Sequence, residues 1–264
     1  MTGARRSATL MSVTTTSEQA VRLHDVRRVY GSKGATVNAL DGVSIDFGVG
    51  TFTAVMGPSG SGKSTLLQCA AGLDRPTSGD VFIGTTRLND LSETKLTLLR
   101  RQKIGFVFQQ FNLLPSLTAE LNVALPLMLA GRRPKRSETR GVLASLGLGE
   151  RTKHRPSEMS GGQQQRVAIA RALITKPEVL FADEPTGALD STTGREILVL
   201  LRSVVDKHGQ TVIMVTHDPV AASFADRVVF LSDGRLAGEL QNPTPQAVAE
   251  RMTLLEVASI GTTK

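Results

Sequence analysis

The run Gly57-Pro58-Ser59-Gly60-Ser61-Gly62-Lys63-Ser64-Thr65 constrains this chain more than any other segment. It fits the pattern G-x-x-x-x-G-K-[ST]. A short apolar strand, Phe52–Met56, precedes it, and an apolar helix is predicted over about Lys63 to Gly72. The spacing has a chemical reason. Glycines let backbone N–H groups turn inward around an anion. The helix start that follows adds partial positive charge. Lys63 can reach the β- and γ-phosphates of a nucleotide, and the Ser64 hydroxyl can coordinate magnesium. Chance gives such a pattern in on the order of one chain in a hundred, and the flanking strand and helix make chance a poorer account still. The loop does not separate adenine from guanine.

A second segment has the right form to serve the same phosphates. Val179-Leu180-Phe181-Ala182 is a continuous apolar run, as expected of a buried parallel strand. It ends in Asp183-Glu184, and ligands of open α/β sheets collect at such strand ends. Asp183 is placed to hold Mg²⁺, directly or through water. Glu184 is placed to orient and deprotonate an attacking water. Taken alone, the two acids would read as a solvated loop.

Along the rest of the chain, residues 1 to about 20 are rich in Ser, Thr and Ala, lack periodicity and read as a flexible tail. Strand-like runs follow at Val21–Val29, Val43–Phe47, Val81–Ile83 and Ile104–Phe108. The middle, about 92–160, reads as mainly helical, with Ser92 at a helix start, a segment Leu121–Leu129 interrupted by Pro126, and Ser137–Leu146 ended by Gly147. Beyond it lie a helix at about Gly162–Thr175, a helix at Thr193–His208, an apolar strand Thr211–Val215, and a hairpin turning at Asp233-Gly234. Residues 241–264 form a helical tail. Strands alternating with helices predict an α/β core with a mainly parallel sheet.

Met159-Ser160-Gly161-Gly162-Gln163 names a family. It resembles the signature of ABC ATPases, usually Leu-Ser-Gly-Gly-Gln, with Met in place of Leu. By itself it is a polar turn capping a helix, with Ser160 as the cap. Other elements of the family appear in order. Tyr30 matches the aromatic ring on adenine, Gln109 the metal- and water-sensing glutamine, and Ala188-Leu189-Asp190 the loop that contacts the opposite subunit. His217 matches the γ-phosphate histidine. The segments Gln109–Pro115 and Thr186–Asp190 look like the branch of macrolide exporters, lipoprotein-releasing systems, bacitracin-type resistance pumps and a cell-division ATPase. One departure lies at Leu121, where the family more often has Glu before Asn-Val, in a region resembling the permease-docking surface.

The resemblance implies an α/β P-loop NTPase core (21–240) with a mainly parallel sheet, an antiparallel β subdomain and a helical insertion subdomain. It implies ATP and Mg²⁺ as cofactors, the latter on Ser64, Gln109 and Asp183. Two copies would sandwich two ATPs, each between Gly57–Thr65 of one copy and Ser160–Gln163 of the other. Glu184, His217, Gln109 and Lys63 would do the chemistry. The implied partners are a second copy and an integral membrane permease on a separate chain, with the ATPase peripheral at the cytoplasmic face of the membrane. The alternatives are an ATPase that signals through a membrane partner without transport, and a soluble ABC ATPase of repair or translation. No sustained apolar heptads support the repair type, and the single set of motifs argues against the translation type.

Composition enters at three points. The net charge of +7 is concentrated: Gly131–Arg155 holds eight basic residues against two acids. That stretch reads as a solvated surface, an approach to anionic headgroups, or a nucleic-acid surface; no nucleic acid is expected. One cysteine, Cys69, allows no internal disulfide and fits a reducing compartment. It is expected to be a small buried hydrophobe. No apolar run approaches the ~20 residues of a membrane span, and Arg5–Arg6 precede no convincing signal sequence.

Overall fold

A computed structural model describes residues 18–31 and 36–261. Strand β1 (Gln19–Tyr30) pairs antiparallel with β2 (Val37–Gly48). β3 (Phe52–Met56) leads through the glycine-rich loop to helix α1 (Lys63–Ala70). β4 (Ser78–Ile83) and the two-residue β5 (Thr86–Arg87) complete an antiparallel sheet in the order β2-β1-β4-β5. Helix α2 (Glu93–Lys103) then feeds β6 (Ile104–Val107). A helical segment follows, with α3 (Ala119–Leu129) and α4 (Arg136–Ser145), and α5 (Gly161–Leu173) leads back to the sheet. β7 (Val179–Asp183), α6 (Ser191–His208), β8 (Thr211–Val215) and the short α7 (Pro219–Ala222) come next. The hairpin β9 (Arg227–Ser232) and β10 (Arg235–Gln241) precedes α8 (Pro245–Gly261).

The second sheet has the order β10-β9-β3-β8-β7-β6 and is parallel except for its edge strand β10. Its central strands β3 and β8 are buried at every residue, as their unbroken apolar runs require. One apolar cluster packs α1, including Leu66 and Leu67, between the two sheets. A second packs α3, α5 and α6 on the opposite face. Full burial of a side chain such as Leu66, Leu67 or Phe181 is worth roughly 1.5–3 kcal/mol each. Cys69 sits in the first cluster, and burial pushes its thiol up to about 12. It packs as a hydrophobe and is not poised as a nucleophile.

Helix ends follow the local chemistry. Ser92 caps α2 by accepting from the Lys95 N–H, and Asp190 caps α6 by accepting from Thr192 and Thr193. Gly209, in left-handed backbone (φ 63°), closes α6.

Three boundaries differ from the sequence expectation. Of the expected N-terminal tail, residues 1–17 lie outside the described residues, while Gln19 and Ala20 already belong to β1. The helical middle is broken by β6, which pairs parallel with β7 in the main sheet. α2, with Leu96 and Leu99 buried, packs in the cluster between the sheets. The helical segment therefore begins after Val107. Pro126 does not end its helix: Val123, Ala124 and Leu127 bury one face of α3, and that packing carries the helix past the missing N–H.

Candidate nucleotide site

The ends of β3, β7 and β8 decide where the site forms. Register pairs Asp183 with Val215, so β7 and β8 finish together. Glu184 continues the ladder by donating its N–H to Val215 O at 3.0 Å, in left-handed backbone at φ 48°. Such a conformation in a non-glycine residue costs about 1–3 kcal/mol and is concentrated at functional sites. His217 follows β8 by two residues, and its Nδ1 lies 2.9 Å from Glu184 Oε1. The Glu184 side chain is 19% exposed and that of His217 72%. A half-hidden carboxylate is thus oriented by an imidazole that faces outward.

Across from this pair stands the glycine-rich loop. A Cβ on Gly57 would meet Leu231 O at 2.1 Å, and one on Gly62 would meet Ala39 O at 2.2 Å. Only glycine lets the loop press against those two carbonyls. Lys63 Nζ donates to Gly57 O at 2.8 Å and Pro58 O at 2.7 Å, so the ammonium folds back under the loop. Burial lowers its pKa, and the Glu184 and Asp183 carboxylates pull it upward. Asp183 is raised, first by burial and then by the neighbouring Glu184 charge, with Lys63 opposing. One ammonium and two carboxylates therefore share one half-buried space.

The loop fits a phosphate. Ser61 Oγ is buried with no partner, and the Gly62 N-cap offers α1 no side-chain cap. The first-turn N–H groups of α1 are open to an anion. Ser64 and Thr65 make no side-chain hydrogen bond within the described residues. Among the described residues no group of three His, Cys, Asp or Glu could hold a metal. Asp183 is a carboxylate beside the loop lysine, and a cation resting on it would draw its other oxygen ligands from hydroxyl, amide and phosphate groups, as Mg²⁺ does.

The remaining predicted residues take separate places. Gln109 is exposed in the loop after β6, with its amide against Gly187. Tyr30 ends β1, 37% exposed, and so is not a core aromatic. Its hydroxyl donates to Asp74 Oδ2 at 2.6 Å, and the Arg28 guanidinium covers one face of the ring at 4.4 Å. Ser160 starts α5 in a capping box: its Oγ accepts from Gln163 N and its N–H donates to Gln163 Oε1. Gly161 and Gly162 approach Leu189 and Thr193. Asp190 accepts from Thr192 and Thr193 at the start of α6, and Thr193 holds its carboxyl below the usual range. The structure thus gathers Lys63, Asp183, Glu184 and His217 with the loop, while the Ser160 turn and Asp190 pack at the paired starts of α5 and α6.

Three supporting residues escaped the sequence reading. Gln165 is wholly buried in α5 and donates to Pro185 O at 2.6 Å, tying α5 to the residue after Glu184. Arg171 donates to Phe111 O and Asn112 O, whose residues sit in left-handed backbone. It fixes the loop that carries Gln109. Asn122, wholly buried, accepts from Leu114 N and donates to the carbonyls of Leu114, Leu117 and Thr118. Gln165 and Asn122 are polar residues on buried helix faces and Arg171 is half-buried, so none stands out in the sequence. A cleft of about 1270 Å³ is lined by residues such as Lys103, Glu178, His208 and Thr211. It holds none of the candidate residues.

Comparison with known proteins gives the family. A sequence profile described as "ABC transporter" matches residues 40–187. An uncharacterized ABC transporter ATP-binding protein of Methanocaldococcus jannaschii, MJ0796, is 47% identical over 225 residues, 83% of this chain and 96% of that protein. The macrolide export ATP-binding/permease protein MacB of Hyphomonas neptunium is 47% identical over 232 residues, 87% of this chain but 36% of that protein. The chain thus spans about a third of the length of the MacB relatives it matches. The dimeric MJ0796 cassette, solved in a post-hydrolysis state with ADP and Pi, superposes with a TM-score of 0.77 at 44% identity, covering 85% of this chain and 99% of that one. CbiO1 of Clostridium perfringens, part of an ABC transporter complex, superposes at 0.76 with 29% identity, covering 92% and 95%. This chain belongs to the ABC transporter family as an ATP-binding cassette of the ATP-hydrolysing kind. Among the described residues no helix is long and apolar enough to cross a membrane.

Proposed function

We propose that this cassette works as a homodimer closed around two ATPs, driving a membrane permease on a separate chain from a peripheral position at the cytoplasmic face. The observation that carries the reading is the turn at Ser160. Its Oγ accepts from Gln163 N, so its own O–H is left to donate outward. The side chains nearest Gly161 and Gly162, those of Leu189, Phe111 and Thr193, carry no charge. An anion cradle without a cation suits a phosphate brought by another subunit, and the MJ0796 cassette is dimeric.

Within each copy, Gly57–Thr65 wraps the phosphates and Lys63 turns from its loop carbonyls to the β- and γ-oxygens. Tyr30 supports the adenine. Ser64, Gln109 and Asp183 hold Mg²⁺, which spreads the charge of the phosphates when bound. Glu184 takes the proton of the attacking water. His217, bonded to Glu184, keeps that carboxylate and the water aligned, and Gln109 completes the water site. Ser160, Gly161, Gly162 and Gln163 face the γ-phosphate held by the other copy, beside Asp190. The catalysis is positioning and charge stabilisation.

Glu184→Gln keeps the side chain's size and removes its basicity. Hydrolysis should fall by about 10²–10⁴-fold, while ATP with Mg²⁺ accumulates a closed dimer measurable by light scattering. Near-normal turnover would remove Glu184 as the base. The same variant, tagged and recovered with ATP from detergent-solubilised native membranes, should bring down a permease. Recovery of ribosomes or nucleic acid with no membrane protein would reject the permease reading and leave the ATPase.

A further inference from the structure

The C-terminal end of α3 combines two features that no part of the nucleotide chemistry uses. Met128 and Leu129 are 51% and 66% exposed. Directly after them come Arg132, Arg133, Lys135 and Arg136, all exposed. The turn between is well ordered by its own bonds. Gly131, at φ 75°, donates its N–H to Met128 O, and the Arg132 N–H donates to Leu127 O, a close that ends the helix and folds the basic run beside its last turn. Arg132 is held by both Glu138 oxygens at 2.9 and 3.0 Å. Arg133, Lys135 and Arg136 have no ion-pair partner among the described residues. The result is an apolar knob rimmed by free cations.

We infer that this tip is a contact surface for an anionic lipid bilayer, with Leu129 and Met128 entering the headgroup boundary and the three free cations lying among anionic headgroups. Basic residues beside a membrane are attracted to anionic lipid, and apolar side chains among them add burial. A single-stranded nucleic-acid surface sets aromatic rings among its cations, and the run from Met128 to Arg140 holds none. α3 also ties the tip to the loop that Asn122 pins at its opposite end. At 1.5 Å per residue the two ends stand about 15 Å apart. The inference does not depend on the transporter reading, because nucleotide binding uses none of these residues.

The test uses the full chain and vesicles of phosphatidylcholine with or without about a third phosphatidylglycerol. The triple variant Arg133→Gln, Lys135→Gln, Arg136→Gln should bind anionic vesicles on the order of 100-fold more weakly. A control triple, Lys95→Gln, Arg195→Gln, Lys207→Gln, removes the same charge from exposed sites elsewhere and should bind within about threefold of the parent. Leu129→Trp installs the only tryptophan in the chain, and its emission should shift to the blue on anionic vesicles and not on neutral ones. ATP binding should be unchanged in all of them, which separates this result from failure of the nucleotide site. Equal weakening by both triples would mean bulk charge alone and would overturn the inference. So would unshifted emission from bound protein, or tip-dependent binding to single-stranded nucleic acid without binding to vesicles.

Discussion

The loop before α1 and the turn before α5 both place glycine and serine at a helix start, but their surroundings are opposite. At α1 the cap is a glycine with no side-chain bond, so the helix end stays open. A lysine folds beneath it and two carboxylates stand nearby. At α5 the cap is satisfied by its own capping box, and its neighbours are Leu189 and Thr193. The first has open donors and a countercharge, as the proposed polyphosphate site requires. The second is an exposed contact with one hydroxyl hydrogen left to give. On the proposed reading the same residue types make a binding site in one place and half of an interface in the other, and the difference lies in the charges around them.

Removing the charge from the first site should have the largest effect. Lys63→Ala should weaken ATP about 100-fold in titration calorimetry, the scale of a lost charge-assisted hydrogen bond or two. Unchanged affinity would break the comparison at its first term, because the loop would then not be the phosphate site. Ser160→Arg tests the second term. It should leave the affinity of the isolated copy within about twofold, as exposed substitutions do, yet abolish ATP-driven dimerisation in the Glu184→Gln background. ATP-driven dimerisation that survived would show that the turn serves no second subunit.

The two regions also differ in how legible they were. The loop motif lies in nine consecutive residues between an apolar strand and a helix, so its place at a strand end follows from local rules. Asp183-Glu184 was readable because Val179–Ala182 is an unbroken apolar run. The meeting of Glu184 with His217, 33 residues apart, needs the common ending of β7 and β8, and only the sheet register supplies that. Ser160 was readable as a helix cap, whereas its capping box with Gln163 and the close approach of Gly162 to Thr193 come from the structure. Gln165, Arg171 and Asn122 act through bonds to distant or irregular backbone, and nothing periodic announces them. The span of β6 within the helical middle was legible as a short apolar run, but its membership of the main sheet was not, since strand order is a long-range property. β2 was underread because Asp41 and Gly42 resemble a turn, yet register shifts against β1 absorb them.

Tyr30 sharpens the comparison at the edge of the loop site. Its ring is exposed and backed on one face by Arg28, with Asp74 holding the hydroxyl. A base stacked on such a ring is worth about 1–3 kcal/mol. Tyr30→Ala should weaken ATP roughly tenfold and leave inorganic triphosphate unaffected. Tyr30→Phe keeps the ring, loses the bond to Asp74 and should stay near the parent. Equal affinity of Tyr30→Ala and the parent for ATP would mean that the adenine rests elsewhere.

The last effect is read in stability and concerns what each glycine leans on. A Cβ at Gly57 would strike the Leu231 carbonyl at 2.1 Å, and backbone there cannot yield without moving β9. A Cβ at Gly162 would strike Thr193 Cγ2 at 2.3 Å, which is the end of a side chain. Gly162→Ala should therefore cost about 1–3 kcal/mol, as overpacking does, and lower Tm by several degrees. Thr193→Ser deletes Cγ2 while keeping the hydroxyl that Asp190 uses, so the double variant should regain most of that loss. No shortening of a single side chain should rescue Gly57→Ala in the same way, since its obstacle is main chain. Scanning calorimetry of both pairs decides it. Rescue at Gly162 with none at Gly57 would confirm that the α5 turn is packed against an adjustable neighbour and the phosphate loop against a fixed one; failure of the Gly162 rescue would place the α5–α6 junction under the same rigid constraint as the loop.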